Sequence, residues 1–350
     1  MKSLVLILGA GASKEVNLPI GTELKSEIGR LLDIRFQHGI RQESGDYQLT
    51  EALRLIASKD KDLAGQINPL LHMCWRIRDA MPQAISIDNF IDSHAAEPKI
   101  AQCGKLAIAR AILAAEGKST LNIDSRNSYN KLDFSKNAKT WFNAFFQLLT
   151  ENCRIEDLPL RLQSIGIVTF NYDRCFEHFI FNAIQNYYSV NAEKATELIA
   201  HLEIHHPYGM VGGLPWMRRQ NSIAFGAEVH VTDLVPVSQQ LRTFTEGTDP
   251  AVSDINLIRT TVSNAKRLAF LGFAFHRLNM ELLFGSDASA RKRTTRSVVG
   301  SALGISPSDC TVITDEISTH TGLAIGPIQL RNDLTCAALV QEYWRSLSLV

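Results

Sequence analysis

The stretch Ile165-Gly166-Ile167-Val168-Thr169-Phe170-Asn171-Tyr172-Asp173 constrains the fold more than any other. An apolar run that ends abruptly in Thr, Asn and Asp reads as a buried strand whose carboxyl end opens onto a crevice, where ligands bind in open α/β sheets. The following residues 174–187 carry Phe176, Phe179, Ile180, Ala183 and Ile184 at helical spacing. The unit is therefore strand, polar turn and helix, with Asp173 placed to cap the helix. Units of this kind predict an α/β fold, a Rossmann-like and mostly parallel sheet flanked by helices.

The start of the chain supplies a second such unit. Leu4-Val5-Leu6-Ile7-Leu8 runs into Gly9-Ala10-Gly11-Ala12-Ser13. A basic residue, an apolar run and small residues also describe a signal peptide, but this run is shorter than a usual h-region and ends in Gly-x-Gly, as a first Rossmann-like strand does. Glycines at such a turn let a backbone approach a pyrophosphate, whose charge the amides of a following helix can hold. The full dinucleotide fingerprint fails on two counts. Lys14 stands near the place of the third glycine, and the next segment reads as helix, with Thr22 as a candidate cap and Leu24, Ile28, Leu31 and Leu32 on one face.

From about residue 49 to residue 149 the apolar periodicity is almost wholly helical, as in Leu49, Leu53 and Ile56, or Trp141, Phe142, Phe145, Leu148 and Leu149. This predicts a helical insertion over 31–159 between two parts of a core formed by 1–30 and 160–346. Residues 117–138 read as a surface loop. Ser86-Ile87-Asp88-Asn89-Phe90 opens a helix, with Ser86 or Asp88 as its cap. Beyond the central unit, Leu202-Glu203-Ile204-His205-His206-Pro207 is a short strand, and the residue before proline should still be extended. Strand alternation sets Ile204 and His206 on one face and His205 on the other. A helix over 254–266, a buried strand Arg267-Leu268-Ala269-Phe270-Leu271 ending at Gly272, strands at 297–302 and 310–314, and an amphipathic helix over 333–346 complete the expected order.

Composition excludes several functions. Lys plus Arg and Asp plus Glu both number 36, so no global field draws the chain to nucleic acid or an anionic membrane. The cluster Arg291-Lys292-Arg293-Thr294-Thr295-Arg296 lacks interleaved aromatics, and direct nucleic-acid binding is not expected. No stretch is long enough to span a bilayer. The six cysteines form no Cys-x-x-Cys pair, which points to reduced thiols in a cytoplasm and to no metal.

Three separated pieces, Gly9-Ala10-Gly11-Ala12-Ser13, Thr169-Phe170-Asn171-Tyr172-Asp173 and His206 with Gly209, together resemble the sirtuin-like domains, and within them the bacterial sirtuin-like NAD hydrolases of antiviral defence. Leu18-Pro19-Ile20-Gly21-Thr22, Ser86-Ile87-Asp88-Asn89-Phe90 and Phe270-Leu271-Gly272-Phe273-Ala274-Phe275 look like further elements of that group. The resemblance implies one sirtuin-like domain over 1–350 and NAD+ as substrate. It also implies a glycohydrolase that releases nicotinamide and ADP-ribose, depletes cellular NAD+ in abortive infection, and is held in check by homo-oligomerisation or a protein partner. Under it, Asn171 and His206 are catalytic, while Gly9, Ala10, Gly11, Ala12, Ser13, Thr169, Asp173 and Gly272 hold NAD. The chain departs from the family in two ways. The paired Cys-x-x-Cys motifs of the zinc-bearing deacylases are absent, and Pro207 and Tyr208 separate the histidines from Gly209, which leaves both His205 and His206 as candidates, His206 lying nearer the loop. A non-catalytic NAD or nucleotide sensor is the alternative.

Overall fold

The computed structural model describes residues 1–350 apart from 125–129, 220, 252 and 286–293. Of the basic cluster, Arg291, Lys292 and Arg293 lie outside the described residues. Eight strands are described: β1 Leu4–Leu8, β2 Arg35–Gln37, β3 Arg41–Ser44, β4 Ile165–Thr169, β5 Glu203–His205, β6 Arg267–Leu271, β7 Ser297–Ser301 and β8 Ile328–Arg331. Six of them form one sheet in the order β5-β4-β1-β6-β7-β8, every neighbour parallel. Counting only the strands of this sheet, the order is 3-2-1-4-5-6, that of doubly wound dinucleotide-binding sheets. The fold is thus the α/β, Rossmann-like one that the strand-turn-helix units predict.

Side-chain alternation divides the core into two layers. Val5 and Ile7 of β1, Val168 of β4, and Leu268 and Phe270 of β6 face one layer, which includes the helices Gly21–Leu32, Tyr47–Lys59, Asn68–Ala80 and Pro98–Glu116. Leu4, Leu6 and Leu8, Ile165 and Ile167, and Ala269 and Leu271 face the other, with the helices Trp141–Thr150, Cys175–Tyr188 and Cys336–Glu342. A strand buried on both faces has to be apolar at every position, and β1 is. Leu24, Ile28, Leu31 and Leu32 are the buried face of the second helix, as their spacing predicts.

Several local expectations are corrected. The helix Gly21–Leu32 begins before Thr22, and it is the Glu23 carboxylate that accepts from the Ile20 amide at 3.0 Å. The inserted segment also holds the antiparallel pair β2 and β3 among its helices. Residues 310–314 belong to the helix Pro307–Thr321, because Ser306 accepts from the Asp309 amide and Pro307 suits a first helical turn. The last strand is instead β8, and the closing helix starts only after Thr335 caps it and breaks at Tyr343. β5 ends at His205, one residue before the extended geometry expected of His206.

His178, in the helix Cys175–Tyr188, is buried, stacked on Phe225 at 4.2 Å, and donates from Nε2 to the Leu121 carbonyl at 3.1 Å. Burial pushes its pKa down from 6.5 to about 4, against the Leu121 contact, which raises it. Between those values the unfolded chain binds a proton that the folded chain refuses, so stability rises with pH across this window. We expect about 3 kcal/mol to be lost as pH falls from 6.5 to 4, read from urea midpoints. The drop should flatten in His178→Gln, and an unchanged drop in that variant refutes the assignment.

Candidate functional site

Strand order reverses between β1 and β6, so the ligand crevice of this sheet is expected above their carboxyl ends. The turns that meet there are packed backbone to backbone. Gly272, at φ +57°, would set a Cβ 1.9 Å from the Ala12 nitrogen, and a Cβ on Gly9 would lie 2.5 Å from the Gly272 carbonyl oxygen. These glycines therefore permit the two turns to touch. The amides of Gly9, Gly11 and Ala12 are already committed, donating to Leu271, Gly272 and Gly9 at 3.0, 2.9 and 2.9 Å, and the Gly272 amide donates to Ser301 Oγ at 2.8 Å. Of the four amides expected to cradle a pyrophosphate, this leaves that of Ala10.

Asn171 comes to the same place from β4. Thr169 pairs with Leu8, the Phe170 amide donates to the Leu8 carbonyl at 2.9 Å, and the chain then turns so that Asn171 Nδ2 donates to Ser13 Oγ at 3.0 Å. Both residues are buried. Thr169 Oγ1 accepts from the Asn171 amide at 3.2 Å, which fixes the turn from within. Asp173 accepts from the Cys175 amide at 3.0 Å, a helix-capping contact made one residue before the cap position itself. Burial pushes the Asp173 carboxyl above the usual range, against the Cys175 amide and the Ser13 hydroxyl, which hold it down.

Ser86 caps its helix through the Asn89 amide at 3.0 Å, while Asp88 accepts the Tyr172 hydroxyl. The helix Ile87–Ser93 is thereby tied to the turn that carries Asn171. Burial raises both groups, the phenol far above its ordinary value. The neighbouring Tyr208 hydroxyl donates to Asn279 Oδ1 at 2.5 Å, so the rings that floor this side are fixed by their polar ends.

The two histidines differ in their partners. His205 donates from Nε2 to Glu203 at 2.6 Å, and Glu203 also takes Lys2 at 2.8 Å and the Thr261 hydroxyl. Burial works to raise Glu203, but those three partners outweigh it and hold the carboxyl at about 2. His206 lies on the other face and donates from Nε2 to Glu177 Oε1 at 2.5 Å. That side chain is 7% exposed and the glutamate 2%. A carboxylate on Nε2 fixes a proton there, and Nδ1 is buried with no hydrogen-bond partner among the described residues. Glu177 sits on the first turn of the helix that follows Asn171, so one turn positions both the amide and the carboxylate that orients the imidazole.

The sequence reading missed Glu177, and it missed Glu116 and Arg174. The last two form a fully buried pair, in which Arg174 Nε donates to Glu116 Oε1 at 3.1 Å and Nη2 reaches Oε2, while Nη1 donates to the Ile223 carbonyl at 2.6 Å. Glu116 and Glu177 are charged residues set among apolar helix positions, and Arg174 stands in the turn just before a helix, signals available in the sequence but without a partner assigned to them.

Among the described residues, no group of three or more His, Cys, Asp or Glu side chains is placed to hold a metal ion. No helix is long and apolar enough to cross a membrane. All six cysteines are free. Set against known protein families and curated proteins, the chain matches no family model and no curated protein.

Proposed function

We propose that the chain is an NAD+ glycohydrolase that cleaves the nicotinamide–ribose bond to give nicotinamide and ADP-ribose. The observation that carries this reading is the 3.0 Å hydrogen bond from Asn171 to Ser13 at the switch point of a doubly wound sheet, with the carboxylate-backed His206 at the end of the next strand. An amide and an imidazole match the chemistry required. Nicotinamide is cationic in NAD+ and leaves as a neutral ring with the electron pair of the breaking C1′–N bond, so the enzyme has to orient the ribose and direct water. In this scheme the water oxygen bonds to C1′ and its proton passes to His206 Nδ1, whose lone pair Glu177 keeps available. Asn171, held by Ser13, orients the water or the ribose hydroxyls, and the Ala10 amide meets the pyrophosphate, with Asp173 and the packed glycine turns shaping the wall. A cytoplasmic effector of this kind, poisonous to its host if always on, calls for control by oligomerisation or by a protein partner, and its role is antiviral defence.

The test is nicotinamide release from NAD+ by the protein recovered from cells with whatever partners it retains. Asn171→Ala and His206→Ala are each expected to lower turnover at least about 100-fold in protein that circular dichroism shows to be folded, the scale of losing an orienting group or a general base. Full turnover in both variants ends the assignment. A second reading, a non-catalytic sensor of NAD or a related nucleotide, draws on the placement of His206 in a cavity that neither Asn171 nor the glycine turn lines. Saturable NAD+ binding without nicotinamide release, in the complex as well as the isolated chain, decides for it.

A further inference from the structure

A cavity of about 370 Å³ opens beside β5, at the edge of the sheet, and it is lined by neither the Gly9–Ser13 turn nor Asn171. Its size is at the low end of small-molecule sites, about 300–1,000 Å³. Its charged lining is two guanidinium groups against one carboxylate. Arg219 and Arg242 line it, and among the described residues neither guanidinium is paired with a carboxylate. The stem of Arg219 lies against Gly213, and the Arg242 amide is pinned to the Tyr208 carbonyl at 2.9 Å. The helix Ile255–Ser263 starts at the wall with no side chain capping its first amides, and a helix start of that kind favours an anion. His206 contributes the inner end, and its buried Nδ1 has no hydrogen-bond partner among the described residues. Asp254 is the one carboxylate of the lining and stands exposed at the helix start. Gln239 and Gln240 add neutral donors and acceptors suited to a sugar or base.

We infer that this cavity binds a phosphate monoester of nucleotide size, its phosphate between Arg219 and Arg242 and its uncharged part reaching toward His206. The inference does not require NAD+ cleavage and uses none of the residues at the glycine turn, though it shares His206 with the proposed NAD+ site. If both sites act, they meet at His206, through which the occupant of the edge cavity bears on the same imidazole.

Calorimetric titration of the full chain with AMP, ribose 5-phosphate and adenosine tests the inference. Saturable one-to-one binding of both phosphate esters is expected, with adenosine at least ten-fold weaker. Arg242→Ala and Arg219→Ala should each weaken AMP at least ten-fold while circular dichroism and unfolding midpoints stay as in the parent. Asn171→Ala should bind AMP as the parent does, whatever becomes of nicotinamide release. Absence of saturable binding by either ester, equal affinity for adenosine, indifference to both arginine variants, or loss of AMP binding in Asn171→Ala each overturns the inference. The last result places the nucleotide at the glycine turn instead.

Discussion

Replacing Arg174 with methionine is expected to destabilise the protein by about 3–5 kcal/mol, the cost of leaving one member of a buried ion pair without the other. Both side chains are 0% exposed, so the abandoned Glu116 carboxylate has no water to turn to. The guanidinium also takes the carbonyls of Ile223 and Gly213, which would lose a donor in the same step. The pair joins the last residue of the helix Pro98–Glu116 to the turn after β4, and through those carbonyls to the loop that carries Arg219. Loss should appear as a lower urea midpoint at unchanged slope. Glu116→Gln keeps acceptor geometry for part of the network and should cost less. A change below about 1 kcal/mol in Arg174→Met would show that the pair contributes no more than an exposed one.

Gly272→Ala is expected to be comparably severe for a different reason. The residue sits at φ +57°, where a side chain costs roughly 1–2 kcal/mol, and the added Cβ would meet the Ala12 nitrogen at 1.9 Å and Gly11 Cα at 2.5 Å. These are backbone atoms, which cannot swing aside as a side chain does, so overpacking adds about 1–3 kcal/mol or more. Together the terms approach a large fraction of the about 5–15 kcal/mol that holds a domain folded. Gly21→Ala is the control, since nothing lies within 4 Å of its Cβ position and its φ is unexceptional. Equal midpoints for the two variants would mean that the turns can separate without cost.

The central elements were legible because period and composition agreed. β1, β4 and β6 are apolar at every or nearly every position and end at Gly or at Thr, Asn and Asp, a pattern produced by burial on both faces. The order of the strands was not written locally, since it depends on which strand packs beside β1. At residues 310–314, the β-branched Thr311, Val312, Ile313 and Thr314 favour a strand by propensity. Ser306 and Pro307, a few residues earlier, set the segment as helix, and only Ile313 of the four is buried. β8 escaped notice because it is four residues long and follows Pro327. At the candidate site, Asn171 and His206 announced themselves by position at strand ends. Glu177 did not, since a glutamate on a helix reads as a solvated charge until the strand 29 residues later brings an imidazole against it. The commitment of the Gly9, Gly11 and Ala12 amides was equally hidden, because the acceptors for Gly9 and Gly11 lie more than 250 positions away.

The place of β1 in the sheet bears on how the chain is made. It leaves the ribosome before every other strand of its sheet, yet its two neighbours begin at Ile165 and Arg267. At translation speeds of about 5–20 residues per second, Leu4–Leu8 waits on the order of ten seconds or more for its first partner and longer for the second. During that interval a wholly apolar strand has both hydrogen-bonding edges open, a state prone to pairing with other nascent chains. The helices of the inserted segment emerge in the meantime, and the layer they form against Val5 and Ile7 gives the strand an early cover on one face.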